Sequence, residues 1–134
     1  MTRSEATPDA QPAREFPFNQ QRILIVEDDK AIADLTTQLL QDRGLQVVGP
    51  APTLSRAIEL IQSEMLDGAI LDVNLGLETS FAAAVLLKER GIPFFFTTAF
   101  AYRPHPEVSN DTCLAKPYRA RELVETLRGV LARG

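Results

Sequence analysis

Polar side chains that could hold a metal ion and a phosphoryl group follow four apolar runs of this sequence. Glu27 and Asp28 come after the first run, Asp72 after a later one, and Thr98 and Lys116 after two more. Three crowded carboxylates repel one another, and a hard divalent cation relieves that repulsion. A lysine and a hydroxyl can each donate to a phosphoryl oxygen. These residue types therefore indicate a site in which Asp72 attacks phosphorus beside Mg²⁺.

Asp72 is the centre of this prediction. The stretch Gly68–Asn74 is typical of a strand buried in a parallel sheet, with the carboxylate emerging at its end. Ligands bind at that edge of open α/β sheets. A lone aspartate here would more often cap a helix, and only the polar groups after the other strands overturn that interpretation. Asp29 is better placed than Glu27 or Asp28 to cap the helix that follows.

Apolar runs that alternate with helical periodicity predict a parallel sheet with right-handed crossovers. The predicted strands are Arg22–Val26, Gln46–Val48 (stopped by Gly49 and Pro50), the strand that ends at Asp72, Ile92–Thr98 and Thr112–Ala115. The predicted helices follow Asp29 and Thr53 as caps, and cover about Thr79–Arg90 and Arg119–Leu131. Their predicted inward residues include Ile32, Leu35, Leu39, Leu40, Ala57, Ile61, Phe81, Val85, Leu86, Leu123, Leu127 and Val130.

The connection between Thr98 and Lys116 breaks this alternation. Pro104 and Pro106 lie in its middle, and prolines at this spacing remove donors and clash with a helix interior. We therefore expect Ala99–Ala115 to be mostly irregular until the last strand begins.

Size and composition indicate one folded domain at 21–134, after a flexible tail at 1–20 from which Phe16 and Phe18 dock weakly. The net charge of -4 argues against a nucleic-acid surface. The single cysteine excludes an internal disulfide and suits a reducing compartment. The chain has no apolar run long enough for a membrane, and its first 20 residues lack a signal-peptide core. We expect a cytoplasmic protein.

Four segments resemble the motifs of bacterial response-regulator receiver domains, and they occur in the same order. They are Val26–Asp29, Leu71–Asn74, Thr97–Ala99 and Lys116-Pro117. The resemblance covers about residues 22–133. It implies a flavodoxin-like, chemotaxis-receiver-like sheet of five parallel strands in the order 2-1-3-4-5, with helices on both faces.

The resemblance also implies a role for each site residue. Asp72 resembles the phosphorylated aspartate, and Asp28 resembles a direct magnesium ligand. Glu27 resembles an acid that acts on the metal through water, and the backbone carbonyl of Asn74 would be a further ligand. Thr98 resembles the hydroxyl that reorients towards the phosphoryl group, and Lys116 the lysine that pairs with it. The implied donor is a phosphohistidine on a sensor histidine kinase or a phosphotransfer protein.

Two departures from the family pattern concern the switch residues. Receivers usually carry an aromatic residue three positions before the lysine, where this chain has Cys113. We interpret Cys113 as an inert core residue. Phe100 follows Thr98 closely and is the candidate for replacing the missing aromatic, with an ordinary core position as the alternative.

The segment Pro93–Phe100 is similar to the "FAT GUY" motif of a stand-alone receiver group, in which the fourth helix is short or missing. That group is linked to stress-response phosphorelays and to kinases of the histidine–tryptophan–glutamate type. The resemblance therefore implies a partner of this kind.

The leading interpretation is a single-domain response regulator that signals by phosphorylation-dependent protein interaction or phosphorelay. It is no enzyme beyond self-catalysed phosphotransfer and dephosphorylation, and its downstream partner is left open. The alternative is a phosphorylation-independent adaptor with the same fold. A phosphohydrolase would usually carry an acid where Asn74 stands, and a nucleotide or flavin site would need a glycine-rich loop after the first strand. We expect Ala101–Asp111 to be mobile and to order on phosphorylation.

Overall fold

Five parallel strands form one sheet in this protein, for which a computed structural model describes residues 18–99 and 111–133. The elements are β1 (Arg22–Val26), α1 (Lys30–Asp42), β2 (Gln46–Ala51), α2 (Leu54–Ser63), β3 (Gly68–Asp72), β4 (Asn74–Leu75), β5 (Glu78–Thr79), α3 (Phe81–Glu89), β6 (Phe94–Thr98), β7 (Cys113–Ala115) and α4 (Ala120–Arg133). The sheet order is β2-β1-β3-β6-β7, and β4 and β5 form a separate hairpin. The predicted five-stranded fold is confirmed. No helix in these ranges is long and apolar enough to span a bilayer.

The register of the sheet brings its strand ends to one edge. Asp72 of β3 pairs with Thr97 of β6, and Thr98 pairs with Ala115 of β7. On the other side of β3, strand β1 ends at Val26. Because all of these strands are parallel, the residues that follow them meet at the same edge of the sheet.

The core lies on both faces of the sheet. In β1, Leu24 and Val26 join the apolar cluster under α2 and α3, whereas Ile23 and Ile25 join the cluster under α1 and α4. Successive side chains of a strand point to opposite faces, so a strand covered on both faces needs a continuous apolar run. This is why the apolar runs of the sequence locate these strands so well.

Two of the predicted helix caps are confirmed. The Asp29 carboxylate accepts a hydrogen bond from the Ile32 N–H at 3.1 Å at the start of α1. The Thr53 hydroxyl accepts one from the Arg56 N–H at 3.2 Å at the start of α2. Asp29 therefore has a structural role, as expected, and is separate from its neighbours Glu27 and Asp28.

The second strand is longer than the sequence predicts. It does not stop at Gly49 and Pro50 but runs to Ala51, which pairs with Val26 after a shift in register. The Glu27 N–H also donates to the Ala51 carbonyl at 3.0 Å. This extension of the pairing holds the backbone of Glu27 at the end of the sheet.

The predicted inward faces of two helices are partly wrong. Leu35 of α1 is 72% exposed and Val85 of α3 is 56% exposed. Helix α3 instead buries Ala83, Ala84 and Leu87. Apolar residues surround most of α3, so periodicity could not select its buried face. This helix also begins at Phe81 rather than near residue 79, because Glu78 and Thr79 form β5.

The prediction that Cys113 is a core residue is also wrong. Strand β7 is short and lies at the edge of the sheet, where Cys113 is exposed. Its neighbour Leu114 packs partly against the cluster under α1 and α4. An edge strand has an uncovered side, and the local sequence of an apolar run does not reveal its place in the sheet.

The predicted docking of Phe18 is confirmed. Its N–H donates to the Arg43 carbonyl at 2.7 Å, and the Arg128 guanidinium lies 4.3 Å from the centroid of its ring. Phe16 and the rest of the predicted tail up to residue 17 lie outside the described residues. Phe100 and residues 101–110 of the connection before β7, where the fourth helix is predicted to be short or missing, also lie outside them.

Candidate functional site

Three carboxylates converge at the carboxyl edge of the sheet. Oxygen atoms of Glu27, Asp28 and Asp72 lie within 4.8 Å of one another. Glu27 and Asp72 are only 5% and 7% exposed, whereas Asp28 is exposed to solvent. An all-oxygen donor set with one solvent-facing member fits a hard divalent cation that keeps part of its water shell. The residues present are therefore suited to holding Mg²⁺.

Lys116 joins this cluster as its counter-ion. Its Nζ atom donates to Glu27 Oε1 and to Asp72 Oδ2, both at 3.1 Å, and its side chain is 19% exposed. The Lys116 N–H also donates to the carbonyl of Thr98 at 2.8 Å, which fixes the lysine backbone at the end of β6. One ammonium group cannot neutralise three carboxylates, so the site keeps a net negative charge that a metal cation would reduce.

The protonation of Asp72 reflects this crowding. Burial, together with the negative charge of Glu27, raises the pKa of Asp72 to about 7, although the Lys116 ammonium acts in the opposite direction. Burial by itself would lower the pKa of Lys116, but attraction to Asp72 and Glu27 outweighs burial and raises that pKa. Without a metal ion, Asp72 thus holds a proton more tightly in the folded protein than in the unfolded chain.

This raised pKa makes a prediction about stability without metal. Because the folded state binds the Asp72 proton more tightly, this residue should lower the free energy of unfolding as pH rises from about 4 towards about 7. With a chelator present, the free energy of unfolding of Asp72→Asn relative to wild type should therefore increase by roughly 1 to 3 kcal/mol between about pH 5 and about pH 8. Urea unfolding of both proteins at several pH values measures this. A stability difference that does not change with pH would contradict it.

A short hairpin lies beside the acidic cluster. Gly76 and Leu77 form its turn between β4 and β5, and Gly76 has a φ of +68°. A Cβ atom at Gly76 would lie 3.9 Å from Asp28 Oδ2, so the turn is next to the exposed carboxylate. Asn74, the predicted carbonyl ligand, is half-buried at the start of this hairpin. The hairpin was not predicted from the sequence, although a glycine in a two-residue turn is a signal for one.

Glu78 ties this hairpin to helix α2. Its Oε2 atom accepts a hydrogen bond from the Leu54 N–H at 3.1 Å, at the first residue of the helix. A carboxylate in this position satisfies an N–H group that the helix leaves unpaired, and its charge complements the helix dipole. The contact holds the loop that carries Asn74 and Gly76 against the domain.

We expect Glu78→Ala to lower the free energy of unfolding by about 1 kcal/mol, since it removes a charged cap from α2. Glu59→Ala is the matched control, because Glu59 lies on α2, the helix that Glu78 caps, and its ion pair with Arg56 is exposed. That control should change stability by less than about 0.5 kcal/mol. Denaturant unfolding measures both variants, and equal effects would argue against a capping role for Glu78.

The structure thus brings together Glu27, Asp28, Asp72 and Lys116. Thr98 is buried at the end of β6, and its backbone carbonyl is bonded to Lys116. Cys113, three residues before Lys116, is at the exposed edge of the sheet opposite Phe96 of β6.

Comparison with known proteins gives matches over most of the chain. The family model described as "Response regulator receiver domain" matches residues 23–128. Transcriptional regulatory protein YvrH of Bacillus subtilis is 32% identical over 116 residues, which are 83% of this chain and 49% of that protein. Transcriptional regulatory protein PdtaR of Mycobacterium tuberculosis is 28% identical over 117 residues, 84% of this chain and 57% of that protein. The chain spans about half the length of these curated relatives.

Solved structures show the same architecture. A CheY-like response regulator receiver domain protein from Methanospirillum hungatei superimposes with a TM-score of 0.76 and 28% identity, covering 86% of this chain and 96% of that chain. The anti-anti-sigma factor PhyR from Bartonella quintana gives a TM-score of 0.76 at 24% identity, covering 85% of this chain and 49% of that chain. The second similarity concerns the fold alone.

Proposed function

Because the chain belongs to the response regulator receiver family, we propose that it accepts a phosphoryl group on Asp72 and passes the signal on through protein interaction or phosphorelay. The observation that carries this proposal is the environment of the Asp72 carboxylate. It lies at the end of the central strand β3, between two further acids and a lysine that donates to it at 3.1 Å. Such a carboxylate is both oriented and reachable from the sheet edge where ligands bind.

The chemical step that we propose begins with the ionised form of Asp72. One of its oxygens attacks phosphorus of a phosphohistidine, an O–P bond forms, and the electron pair of the broken P–N bond returns to the imidazole. Lys116 holds Asp72 Oδ2 before the transfer and can then donate to a phosphoryl oxygen. Thr98, buried beside it at the end of β6, would reorient its hydroxyl towards the same group.

Glu27, Asp28 and Asp72 would hold Mg²⁺, which supplies neutralisation of negative charge on the phosphoryl oxygens. The different settings of the two acids after β1 support the division of roles expected from the sequence. Asp28 is exposed and can ligate the metal directly, whereas Glu27 is buried and already bonded to Lys116, which suits a contact through water. The backbone carbonyl of Asn74 remains our proposal for a further ligand.

The proposed donor is a sensor histidine kinase or a phosphotransfer protein, with a kinase of the histidine–tryptophan–glutamate type favoured by the Pro93–Phe100 segment. We further propose a cytoplasmic protein that acts in a stress response, without binding nucleic acid or membranes through this domain. The net charge of -4 supports the absence of a nucleic-acid surface. A phosphorylation-independent adaptor is disfavoured, because the acids and the lysine that phosphotransfer requires are assembled at one place.

Intact-protein mass spectrometry with acetyl phosphate and Mg²⁺ tests the proposal. We expect the mass of one phosphoryl group to be added with Mg²⁺ and to be absent when a chelator replaces the metal. Because a rapidly hydrolysed product would escape detection, binding of beryllofluoride with Mg²⁺, followed by NMR, is the second measurement. If neither an adduct nor beryllofluoride binding occurs, the adaptor function is correct instead.

A further inference from the structure

The connection from the end of β2 at Ala51 to the start of α2 at Leu54 joins the two loops that carry the candidate metal ligands. On one side, the Glu27 N–H donates to the Ala51 carbonyl at 3.0 Å, one residue before Asp28. On the other side, the Leu54 N–H donates to Glu78 Oε2 at 3.1 Å, on the β4–β5 hairpin. One short piece of chain is therefore bonded to both loops and can set the distance between them.

The hairpin directs the carbonyl of Asn74 away from its partner strand. Residue pairs in an antiparallel ladder alternate between those that exchange backbone hydrogen bonds and those that do not. The Ser80 N–H donates to the Val73 carbonyl at 3.0 Å, so the next pair, Asn74 with Thr79, is of the second kind. The Asn74 carbonyl thus points out of the hairpin, as a metal ligand must. Its position follows the position of the hairpin as a whole.

Glu78 is well placed to hold this hairpin relative to the acids. It pairs with Leu75, the residue after Asn74, so its bond to α2 acts close to the carbonyl. The turn is also near the exposed acid, since a Cβ atom at Gly76 would lie 3.9 Å from Asp28 Oδ2. A two-stranded hairpin by itself is marginally stable at best in water. Loss of the bond to α2 therefore frees the turn to move relative to Asp28.

We propose that Glu78 is a positioning residue for Mg²⁺, an inference that rests on the magnesium site of the proposed function. By accepting the Leu54 N–H, Glu78 keeps the Asn74 carbonyl and Asp28 at the separation that one ion requires. Glu78 lies outside the three-acid cluster that the described residues form, so it acts through the hairpin. Because coupling between two equilibria is reciprocal, Mg²⁺ in turn strengthens the bond between Glu78 and Leu54. The start of α2 thereby senses whether the metal site is loaded.

Isothermal titration calorimetry of Mg²⁺ on the full chain tests this role. Glu78→Ala should bind Mg²⁺ about tenfold more weakly than wild type, at the lower end of the effect of losing a group that orients metal ligands. Glu78→Gln retains an oxygen that can accept the Leu54 N–H, so it should recover most of the affinity. Glu59→Ala is the matched control, because it removes the same charge from an exposed ion pair on α2 and should leave the affinity unchanged.

Hydrogen exchange of the Leu54 amide, followed by NMR, is a readout that a purely local capping role would not move. In wild type, Mg²⁺ should slow this exchange by about the factor by which Glu78→Ala weakens Mg²⁺ binding, since both quantities measure the same coupling. In Glu78→Ala, the effect of Mg²⁺ on this amide should disappear.

The outcomes separate this role from the metal site itself. Wild-type magnesium affinity in Glu78→Ala would overturn the positioning role and leave the metal site in place. Equal losses in Glu78→Gln and Glu78→Ala would also overturn it, because the charge of Glu78 would then act on the ion instead of its hydrogen bond. If wild type bound no Mg²⁺, the metal site of the proposed function would fail, and the positioning role with it.

Discussion

The Asp72→Asn variant should incorporate no phosphate from a kinase or from acetyl phosphate, whereas wild type should incorporate one phosphoryl group. An amide oxygen is a poor nucleophile for phosphorus, and within residues 18–99 and 111–133 no other carboxylate takes the central position between Glu27, Asp28 and Lys116. Intact-protein mass spectrometry measures the stoichiometry. The substitution preserves the shape of the side chain, so the loss should occur in a protein that remains folded by circular dichroism.

Asp34→Asn is the matched control for this experiment. Asp34 is an exposed aspartate on α1 that forms a surface ion pair with Lys30, so its loss should leave phosphate incorporation unchanged. Labelling of Asp72→Asn at the same stoichiometry as wild type would show that the acceptor lies elsewhere. Equal loss in both variants would show that the assay reports general damage to the protein.

The Asp28→Ala variant should bind Mg²⁺ at least roughly tenfold more weakly than wild type, because it removes the solvent-facing carboxylate of the cluster. Its free energy of unfolding without metal should stay the same or rise, since one source of repulsion among the three acids is gone. Isothermal titration calorimetry measures the affinity, and urea unfolding measures the stability. Asp42→Ala is the control. Asp42 is the last residue of α1, whereas Asp28 lies just before the first residue of that helix.

An unchanged magnesium affinity in Asp28→Ala would count against the proposed metal site. If phosphate labelling also required no metal, the three acids at this edge of the sheet could not be explained as a magnesium site. Unchanged affinity with no labelling of wild type would instead support the phosphorylation-independent adaptor. These outcomes separate the metal site from the acceptor, which a single activity measurement would not do.

The fold could be predicted because parallel strands covered on both faces need continuous apolar runs. The run Arg22–Val26 and the run that ends at Asp72 therefore appear directly in the sequence. The caps Asp29 and Thr53 were predictable for a similar reason, since each bonds within its own first helical turn. Interactions between near neighbours in the chain depend little on the rest of the fold.

Features that depend on distant residues could not be predicted in this way. The burial of α3, which is apolar on most sides, depends on what packs against it, so Val85 is exposed and Ala83 is buried. Cys113 is exposed because its strand is at the edge of the sheet. The bond from Leu54 to Glu78 joins residues 24 positions apart.

The candidate site combines both kinds of information. The sequence by itself determined that Glu27, Asp28, Asp72 and Lys116 each follow an apolar run, because strand ends are marked by a change from apolar to polar residues. Only the tertiary structure decided that Lys116 bridges Glu27 and Asp72, that Asp28 alone of these three acids faces solvent, and that the Phe18 ring packs under the Arg128 guanidinium. Distances and exposure depend on how the whole sheet and its helices pack, and no local stretch of sequence contains that information.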